Sequence, residues 1–313
     1  MSIRNLDGLF KPRSVAVIGA SLKPNGLGTV ALRNVVEGGF DGAIWPLNPK
    51  YRELMGLTCH AKLDALPGVP DLAVICTPPA TIPGLIRELG RRGTRAAIVL
   101  TSGLDEHKNS HGKTIRQAML DAARPHLLRV LGDGGVGLLV PGIGLNASVA
   151  HCAARPGKIA FVSQSGALLT GVLDWANTHG VGFSKFVSLG ESADVDLGDL
   201  LDYLAADIDT AAILLYMEEV RHARKFMSAA RAAARGKPVI VLKAGRMQEG
   251  GASSHIGALA APDAVYDAAI RRAGMLRVDS TEDLFGAAET LARAKPQHGE
   301  RLAVMGNGGG LSV

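Results

Sequence analysis

Short apolar runs alternate with longer amphipathic stretches along almost the whole chain. The runs include SVAVIGA, DLAVICTPP, KIAFVSQ and PVIVLKAG, and helix-like segments such as TIPGLIRELGRRG and HARKFMSAARAAARG separate them. This alternation is typical of βαβ units, whose strands join a parallel sheet through crossover helices. The pattern therefore predicts an α/β fold.

The alternation falls into two series, and 313 residues suffice for two domains. We predict a first domain over residues 1–128 and a second over residues 129–298. The periodicity fails between Pro141 and Pro156, where we expect a connection without regular structure. Residues 299–313 contain RLAVMGNGGGLSV, which predicts one more strand and a Gly-rich turn. We interpret this end as the first strand of a further, truncated domain.

The composition narrows the class of ligand. Hydrophobic residues make up 47% of the chain and charged residues 20%, which is typical of packed cores rather than disorder. The net charge of +5 favours an anionic ligand. The positive charges are scattered and form no Lys/Arg block, so we expect no nucleic-acid partner.

The three cysteines, Cys59, Cys76 and Cys152, lack the spacing of a metal site, and their odd number argues against a disulfide framework. We therefore expect no metal site. The N-terminus has no apolar signal core, and no apolar run is long enough to cross a bilayer. The expected location is the cytoplasm, without a membrane partner.

A Gly-rich loop, Gly19 to Thr29, follows the first predicted strand and leads into a helix. Backbone N–H groups at such a helix N-terminus favour phosphate. The spacing matches neither the dinucleotide fingerprint nor the P-loop. At the end of the second strand, where an NAD site needs an acid, the sequence reads Asn48-Pro49-Lys50. Lys50 suits a ribose phosphate, which both coenzyme A and NADP carry; a plain tight turn with a surface lysine is the alternative.

Several motifs together resemble the ADP-forming acyl-CoA synthetases, relatives of the succinyl-CoA ligase alpha subunit. SVAVIGAS, WPLNPKY, DLAVICTPP and VLTSG are similar to the CoA-binding domain of that family. GKIAFVSQSGAL, ADVDLGDLLDYL and SSHIGALAAPDAVYDAAIRRAG are similar to its second domain. The resemblance implies a Rossmann-like CoA-binding domain followed by a flavodoxin-like, succinyl-CoA ligase-like domain. The long bacterial forms fuse this region to an ATP-grasp part and often to an acetyltransferase domain.

The resemblance also implies which residues bind coenzyme A. By this resemblance, Ser21, Gly26 and Gly28 would bind the phosphates of coenzyme A, and Lys50 would bind its ribose phosphate. The complete candidate set is Gly19, Ser21, Gly26, Gly28, Asn48, Lys50, Thr77, Pro78, Pro79 and Ser102.

His255 lies among small residues in GGASSHIGALAAP, just before a predicted helix. A buried core histidine is usually surrounded by large side chains, whereas small neighbours leave the ring accessible. In the family that the motifs resemble, the histidine of S-H-x-G-A-L-A is phosphorylated during turnover. Here that motif spans Ser254 to Ala260, which makes His255 the candidate phosphate carrier. A neutral imidazole is a good nucleophile near pH 7 because its unperturbed pKa is about 6.5. Taken alone, such a histidine is more often structural or idle than catalytic.

The segment SQSGAL opens a helix directly after a strand, and its N-terminus carries partial positive charge. Candidate phosphate-binding residues are Ser163, Gln164, Ser165 and Gly166. Glu218 matches the glutamate of the family and would hold the far ring nitrogen of the histidine. Without the resemblance, Ser165 could be a plain N-cap and Glu218 a solvated strand end.

One segment departs from the family. LGDGGVG, Leu131 to Gly137, stands where the family usually has L-G-P-N-C-x-G, near the acyl site of relatives. Asp133 adds a carboxylate beside an anionic intermediate, and Gly134 and Gly135 loosen the loop. We expect this segment to lower or redirect activity.

The resemblance implies an acid–thiol ligase that converts acyl-CoA, ADP and phosphate to a small carboxylic acid, coenzyme A and ATP through an acyl phosphate and a phosphohistidine. ADP, ATP and Mg would act only through an ATP-grasp domain or subunit. The alternative is an acyl-CoA-sensing regulatory region of a protein acetyltransferase. An NADP oxidoreductase is disfavoured by the loop spacing and by the lack of an evident acid or base for hydride transfer.

Overall fold

A computed structural model describes residues 3–110, 112–245, 263–293 and 303 of the chain. Within these ranges the strands are β1 Ser14–Ile18, β2 Ala43–Leu47, β3 Glu53–Leu54, β4 Leu57–Thr58, β5 Leu72–Ile75, β6 Ala96–Val99, β7 Arg129–Gly132, β8 Gly137–Val140, β9 Leu145–Ser148, β10 Pro156–Ser163, β11 Phe183–Ser188, β12 Ala212–Met217, β13 Val239–Lys243 and β14 Leu276–Val278.

The α-helices in the same ranges are α1 Asp7–Phe10, α2 Leu27–Glu37, α3 Ile82–Arg92, α4 Ile115–Ala123, α5 Gly166–His179, α6 Leu197–Ala206, α7 Ala223–Gly236, α8 Asp263–Ala273 and α9 Thr281–Arg293. Short 3-10 helices occur at Leu63–Ala65, Pro79–Thr81, Arg124–His126 and Pro141–Ile143. Among the described helices, none is long and apolar enough to span a bilayer.

The first sheet contains, within the described residues, five parallel strands in the order β2-β1-β5-β6-β7. Its strands β1, β5 and β6 are buried throughout, because helices cover both faces. The strand order reverses between β1 and β5. In open parallel sheets the loops that diverge at such a point leave a crevice for ligands at the carboxyl ends of the strands.

The second sheet has the order β14-β13-β12-β10-β11-β8-β9. Strands β10 to β14 are parallel and follow the flavodoxin-like arrangement, whose reversal point lies between β10 and β12. Strands β8 and β9 extend the sheet antiparallel to β11. The predicted α/β architecture of two successive parallel-sheet domains is confirmed.

Two details differ from the sequence-based prediction. Strand β7 pairs with β6, so the first sheet reaches Gly132 rather than ending at residue 128. The apolar residues Val130 and Leu131 are buried in the first unit and explain the difference. Strand β9 lies in the segment that we expected to be irregular; its sequence LNAS is too short and polar to show a strand pattern. The strand predicted within residues 299–313 lies outside the described residues, apart from residue 303.

The two sheets share apolar packing. Val17 and Val74 of the first sheet belong to the same buried cluster as Val162 and Val187 of the second. The side-chain amide of Asn34 on α2 donates to the carbonyl oxygens of Ser148 and Ala150, at 2.9 and 2.8 Å. Helix α2 of the first unit therefore covers β9 at the edge of the second sheet.

Candidate functional site

The loop after β1 passes very close to the first turn of α2. A Cβ atom added to Gly28 would lie 1.9 Å from the carbonyl oxygen of Gly19, so only glycine fits there. Gly19 itself has a positive φ of 89°. Gly26 is the N-cap of α2 and offers no side chain to cap the helix. The first N–H groups of α2 are therefore available to an anionic ligand.

Side chains hold this loop in place. The hydroxyls of Ser21 and Thr29 lie 2.9 Å apart, and Thr29 Oγ1 also donates to the carbonyl oxygens of Ser21 and Lys23. Asn48, after β2, donates to the carbonyl oxygen of Ala20 at 2.7 Å, which ties the two loops together. The backbone N–H of Lys50 donates to Asn48 Oδ1, and the Lys50 side chain is exposed. Its ammonium is therefore available to a phosphate outside the loop.

Thr77 faces this loop across the reversal point of the first sheet. A Cβ on Gly19 would lie 3.0 Å from Thr77 Cγ2, and Thr101 Oγ1 donates to the carbonyl oxygen of Thr77. Pro78, Pro79 and Ser102 lie at the same edge and are at least partly exposed. Burial raises the pKa of the neighbouring Cys76 thiol to about 12, so this thiol stays protonated at neutral pH. All the candidate CoA-binding residues therefore lie on the carboxyl edge of the first sheet.

The turn between β10 and α5 forms the corresponding edge of the second sheet. Ser165 is the N-cap of α5, and its hydroxyl accepts from the N–H of Leu168 at 3.3 Å. Ser163 is fully buried, and its hydroxyl bonds both the N–H and the carbonyl oxygen of Ser165. Ser163 therefore supports the turn and does not face a ligand. The N–H groups of Gly166 and Ala167 have no acceptor within the helix and point out of its N-terminus.

Glu218 follows β12, directly across the reversal point from this turn. Gln164 fixes its backbone, because Gln164 Oε1 accepts from the N–H groups of Glu218 and Glu219 at 2.7 and 3.1 Å. The backbone N–H of Gln164 is used as well, since it donates to the carbonyl oxygen of Tyr216. Gln164 thus positions the carboxylate rather than supplying these groups to a phosphate.

Burial raises the pKa of Glu218 above the usual carboxyl range, and the negative charges of Glu191 and Glu219 raise it further. Lys243 opposes this rise. Such a carboxyl group gains from a nearby cation, because a positive charge favours its ionised form. A histidine ring that becomes charged during a reaction would supply that cation.

Lys243 was not among the predicted site residues. It ends β13 beside Met217 of β12, and its ammonium lies 4.6 Å from the centre of the Tyr266 ring. Burial lowers the pKa of Lys243, partly offset by the charge of Asp263. The sequence signal that could have identified Lys243 is its position at the end of the apolar run PVIVLK, shortly before His255.

The segment from Gly132 to Val136 connects the two edges. A Cβ on Gly134 would contact Ser102 of the first edge at 3.4 Å. The N–H of Val136 donates to Ser188 Oγ, and a Cβ on Gly166 would contact Val136 Cγ2 at 3.1 Å. The same short segment therefore contacts both the CoA-side edge and the N-terminus of α5.

Asp133 in this segment does not present an uncompensated charge. It is 0% exposed, and Arg116 of α4 donates to its two carboxylate oxygens at 3.1 and 3.3 Å. Arg116 also pairs with Asp105 and lies 3.7 Å from Glu191. The sequence-based expectation treated Asp133 as a free carboxylate beside an anionic intermediate, because its partner lies 17 residues earlier on another element.

His255, the candidate phosphate carrier, lies outside the described residues. The segment that contains it joins Gly245, just after β13, to Asp263 at the start of α8. The described part of the site thus brings together Gly166, Glu218 and Lys243 at the carboxyl ends of three neighbouring strands. It offers helix N–H donors and an ammonium group, which suit an anion, and a carboxyl group, which suits a histidine ring that gains a positive charge.

Comparison with known proteins agrees with this geometry. Residues 13–141 match a family model described as a CoA binding domain, and residues 156–291 match one described as a succinyl-CoA ligase like flavodoxin domain. The acetate–CoA ligase [ADP-forming] I of Archaeoglobus fulgidus is 39% identical over 98% of this chain and 44% of its own length. The corresponding subunit alpha of Pyrococcus furiosus is 36% identical over 99% of this chain and 68% of its own.

Solved structures give the same result. The dinucleotide forming acetyl-coenzyme A synthetase 1 of Ca. Korarchaeum cryptofilum, in complex with phosphate and ADP, matches with a TM-score of 0.89 and 38% identity. The match covers 97% of this chain and 66% of that one. The chain thus spans under half of the Archaeoglobus protein and about two thirds of the Pyrococcus subunit. The resemblance inferred from the motifs is confirmed: the chain belongs to the ADP-forming acetate–CoA ligase family, with a CoA-binding domain followed by a succinyl-CoA ligase-like flavodoxin domain.

Proposed function

We propose that this chain is the CoA-binding and phosphohistidine-carrying part of an ADP-forming acyl-CoA synthetase that acts on acetate or another small carboxylic acid. The reversible reaction converts acyl-CoA, ADP and phosphate to the acid, coenzyme A and ATP. The location that we propose is the cytoplasm.

The observation that carries the proposal is the pair of sheet edges joined by residues 132–136. One edge has the glycine loop, Lys50 and Thr77, which suit the phosphates of coenzyme A. The other has the N-terminus of α5 opposite Glu218, which suits a phosphoryl group. The contacts of Gly134 with Ser102 and of Val136 with Gly166 support a short path between them.

The reaction proceeds in two steps on this chain, and the described residues support the second. Phosphate attacks the thioester carbonyl, the carbon–sulfur bond breaks, and coenzyme A leaves with an acyl phosphate formed. The ring of His255 then takes the phosphoryl group and releases the carboxylate. The N–H groups of Gly166 and Ala167 would stabilise the transferred phosphoryl oxygens, and Glu218 would accept a hydrogen bond from the other ring nitrogen.

The final transfer to ADP is assigned to an ATP-grasp domain or subunit, where Mg would enter with the nucleotide. The Pyrococcus relative is named as a subunit alpha, which supports a separate partner subunit. A fused acetyltransferase domain remains part of the second candidate function, an acyl-CoA sensor. The relatives compared carry ligase names, which favours synthesis.

The test is acid-labile, base-stable labelling of the purified chain by acyl-CoA and labelled phosphate. His255→Asn should abolish the label and leave CoA affinity nearly unchanged. Glu218→Gln should reduce the label, because orientation and charge support are lost but the nucleophile stays. Glu219→Gln is the matched control, since Glu219 pairs with Arg221, and should leave labelling intact.

Label that persists in His255→Asn would identify a different carrier residue. A wild-type chain that binds acyl-CoA tightly yet stays unlabelled would favour the sensor function. ATP formation from acyl-CoA, ADP and phosphate should require added ATP-grasp subunit.

A further inference from the structure

Three side chains with metal-binding atoms converge far from the site described above. His151 and Cys152 follow β9, and Asp174 lies on the third turn of α5. His151 Nε2 lies 2.5 Å from Asp174 Oδ1 and 3.5 Å from Cys152 Sγ, and the thiol lies 3.9 Å from the same carboxylate oxygen. The donor atoms of this cluster all lie within 4.8 Å of one another.

The geometry does not suit a cysteine nucleophile activated by a histidine. In that arrangement one ring nitrogen faces the thiol and the other faces the carboxylate. Here both Cys152 and Asp174 face the same atom, His151 Nε2. A neutral ring nitrogen either donates or accepts, so it cannot serve both neighbours in the way that a nucleophile–base–acid series requires.

The distances instead suit three ligands of one ion. Tetrahedral zinc with bonds of about 2.3 Å to sulfur and about 2.0–2.1 Å to nitrogen and oxygen places its ligand atoms roughly 3.3–3.7 Å apart. The two distances from Cys152 Sγ, 3.5 and 3.9 Å, are already near this range. The 2.5 Å contact between His151 and Asp174 is a hydrogen bond that must open. Their side chains are 49% and 66% exposed, which leaves them room to rotate.

Asn177 provides an outer contact of the kind that metal thiolates use. Its side-chain amide donates to Cys152 Sγ at 3.4 Å and to the carbonyl oxygen of Ala153 at 2.9 Å. The second bond fixes the orientation of the amide, so its N–H group faces the sulfur. Burial raises the pKa of the Cys152 thiol, and this donor opposes the rise, which favours the deprotonated form that binds a metal.

We propose that His151, Cys152 and Asp174 bind one zinc ion, with water in the fourth position. Asp174 lies eight residues after Gly166 on α5, about 12 Å along the helix axis, so this site is separate from the phosphoryl site. The ion fastens the connection after β9 to α5, the helix whose N-terminus receives the phosphoryl group.

The experiment is a zinc titration of the purified chain by calorimetry, together with absorption spectra after addition of cobalt(II). One zinc should bind per chain, and cobalt should show a thiolate charge-transfer band. Cys152→Ser should abolish the band, and Asp174→Asn should weaken zinc binding while the circular dichroism spectrum stays unchanged. Asn177→Ala should weaken it about 10-fold to 100-fold.

His179→Ala is the matched control, because His179 lies on the same helix and stacks on Trp175 instead. It should leave zinc binding unchanged. Zinc should also raise the melting temperature of the wild-type chain but not of Cys152→Ser. Equal zinc affinity of the wild type and Cys152→Ser, or a cobalt spectrum without a thiolate band, would overturn the proposal.

Discussion

Asp133 and Asp105 contact the same arginine, but Asp133 is buried and Asp105 is exposed. Comparing the two separates the effect of burial on stability from the effect of the ion pair itself. Asp133 is 0% exposed and accepts two hydrogen bonds from Arg116. Asp105 pairs with the same guanidinium, but its side chain is 50% exposed. The substitutions Asp133→Asn and Asp105→Asn therefore remove one charge each from the same ion-pair cluster.

We expect Asp133→Asn to lower the free energy of unfolding by about 2 kcal/mol. Breaking a buried pair that leaves its partner uncompensated costs about 3–5 kcal/mol. Arg116 keeps its contacts with Asp105 and Glu191, so the loss should approach that of a hydrogen bond to a charged group, about 1.5–3 kcal/mol. Asp105→Asn should cost less than about 1 kcal/mol, as exposed pairs do.

The measurement is the urea midpoint of each variant at neutral pH, in low and in high salt. High salt should diminish the effect of Asp105→Asn and leave that of Asp133→Asn nearly unchanged, because buried pairs are screened less. Equal losses for the two variants would refute the burial argument. Histidine labelling gives a second readout: if Asp133 acted as a free repelling charge, Asp133→Asn would increase labelling, whereas we expect no increase.

Three further predictions concern the two edges. Gly28→Ala should destabilise the chain by about 3 kcal/mol and abolish CoA binding, since the new Cβ would lie 1.9 Å from Gly19 O. Gly84→Ala is the control, because a Cβ added there meets no atom within 4 Å. It should stabilise the chain by about 0.5–1 kcal/mol in the same urea assay. Lys50→Met should weaken CoA binding about 10-fold to 100-fold and leave dephospho-CoA binding unchanged in calorimetry; equal losses for both ligands would remove Lys50 from the ribose phosphate site. The pKa of Glu218 is raised by burial, so its protonated form stabilises the fold at low pH and this contribution is lost as the pH rises through the raised value. Glu218→Gln should therefore be more stable than wild type at neutral pH, by under about 1 kcal/mol because the side chain is partly exposed. The two free energies of unfolding should converge below about pH 4, and a loss of stability at neutral pH would contradict this sign.

The features that the sequence predicted depend on local pattern. Apolar runs located the strands of both parallel sheets, and the carboxyl ends of parallel strands share an edge. Gly19 after β1 and Ser165 after β10 could therefore be placed without knowing any contact. The same reasoning correctly placed Glu218 at a strand end, although only the strand order shows that it lies opposite the N-terminus of α5.

The features that the sequence missed depend on distant residues. Asp133 looked unpaired because Arg116 lies on a different element, helix α4, 17 residues earlier. Asp174 is 22 residues from Cys152, a separation that corresponds to no familiar metal motif. Pairwise contacts of this kind depend on the packed fold and cannot be predicted from the local repeat of apolar and polar residues.

Helix α2 lies over β9, the strand at the edge of the second sheet, and this affects how the two units assemble. An open sheet edge exposes unpaired backbone groups that can recruit a strand from another molecule. Asn34 occupies the carbonyl oxygens of Ser148 and Ala150, and a Cβ on Gly144 would lie 2.3 Å from Gly39 O, so the backbones meet closely here. The first unit therefore shields the second from intermolecular strand addition, and a second unit expressed without α2 should self-associate through β9.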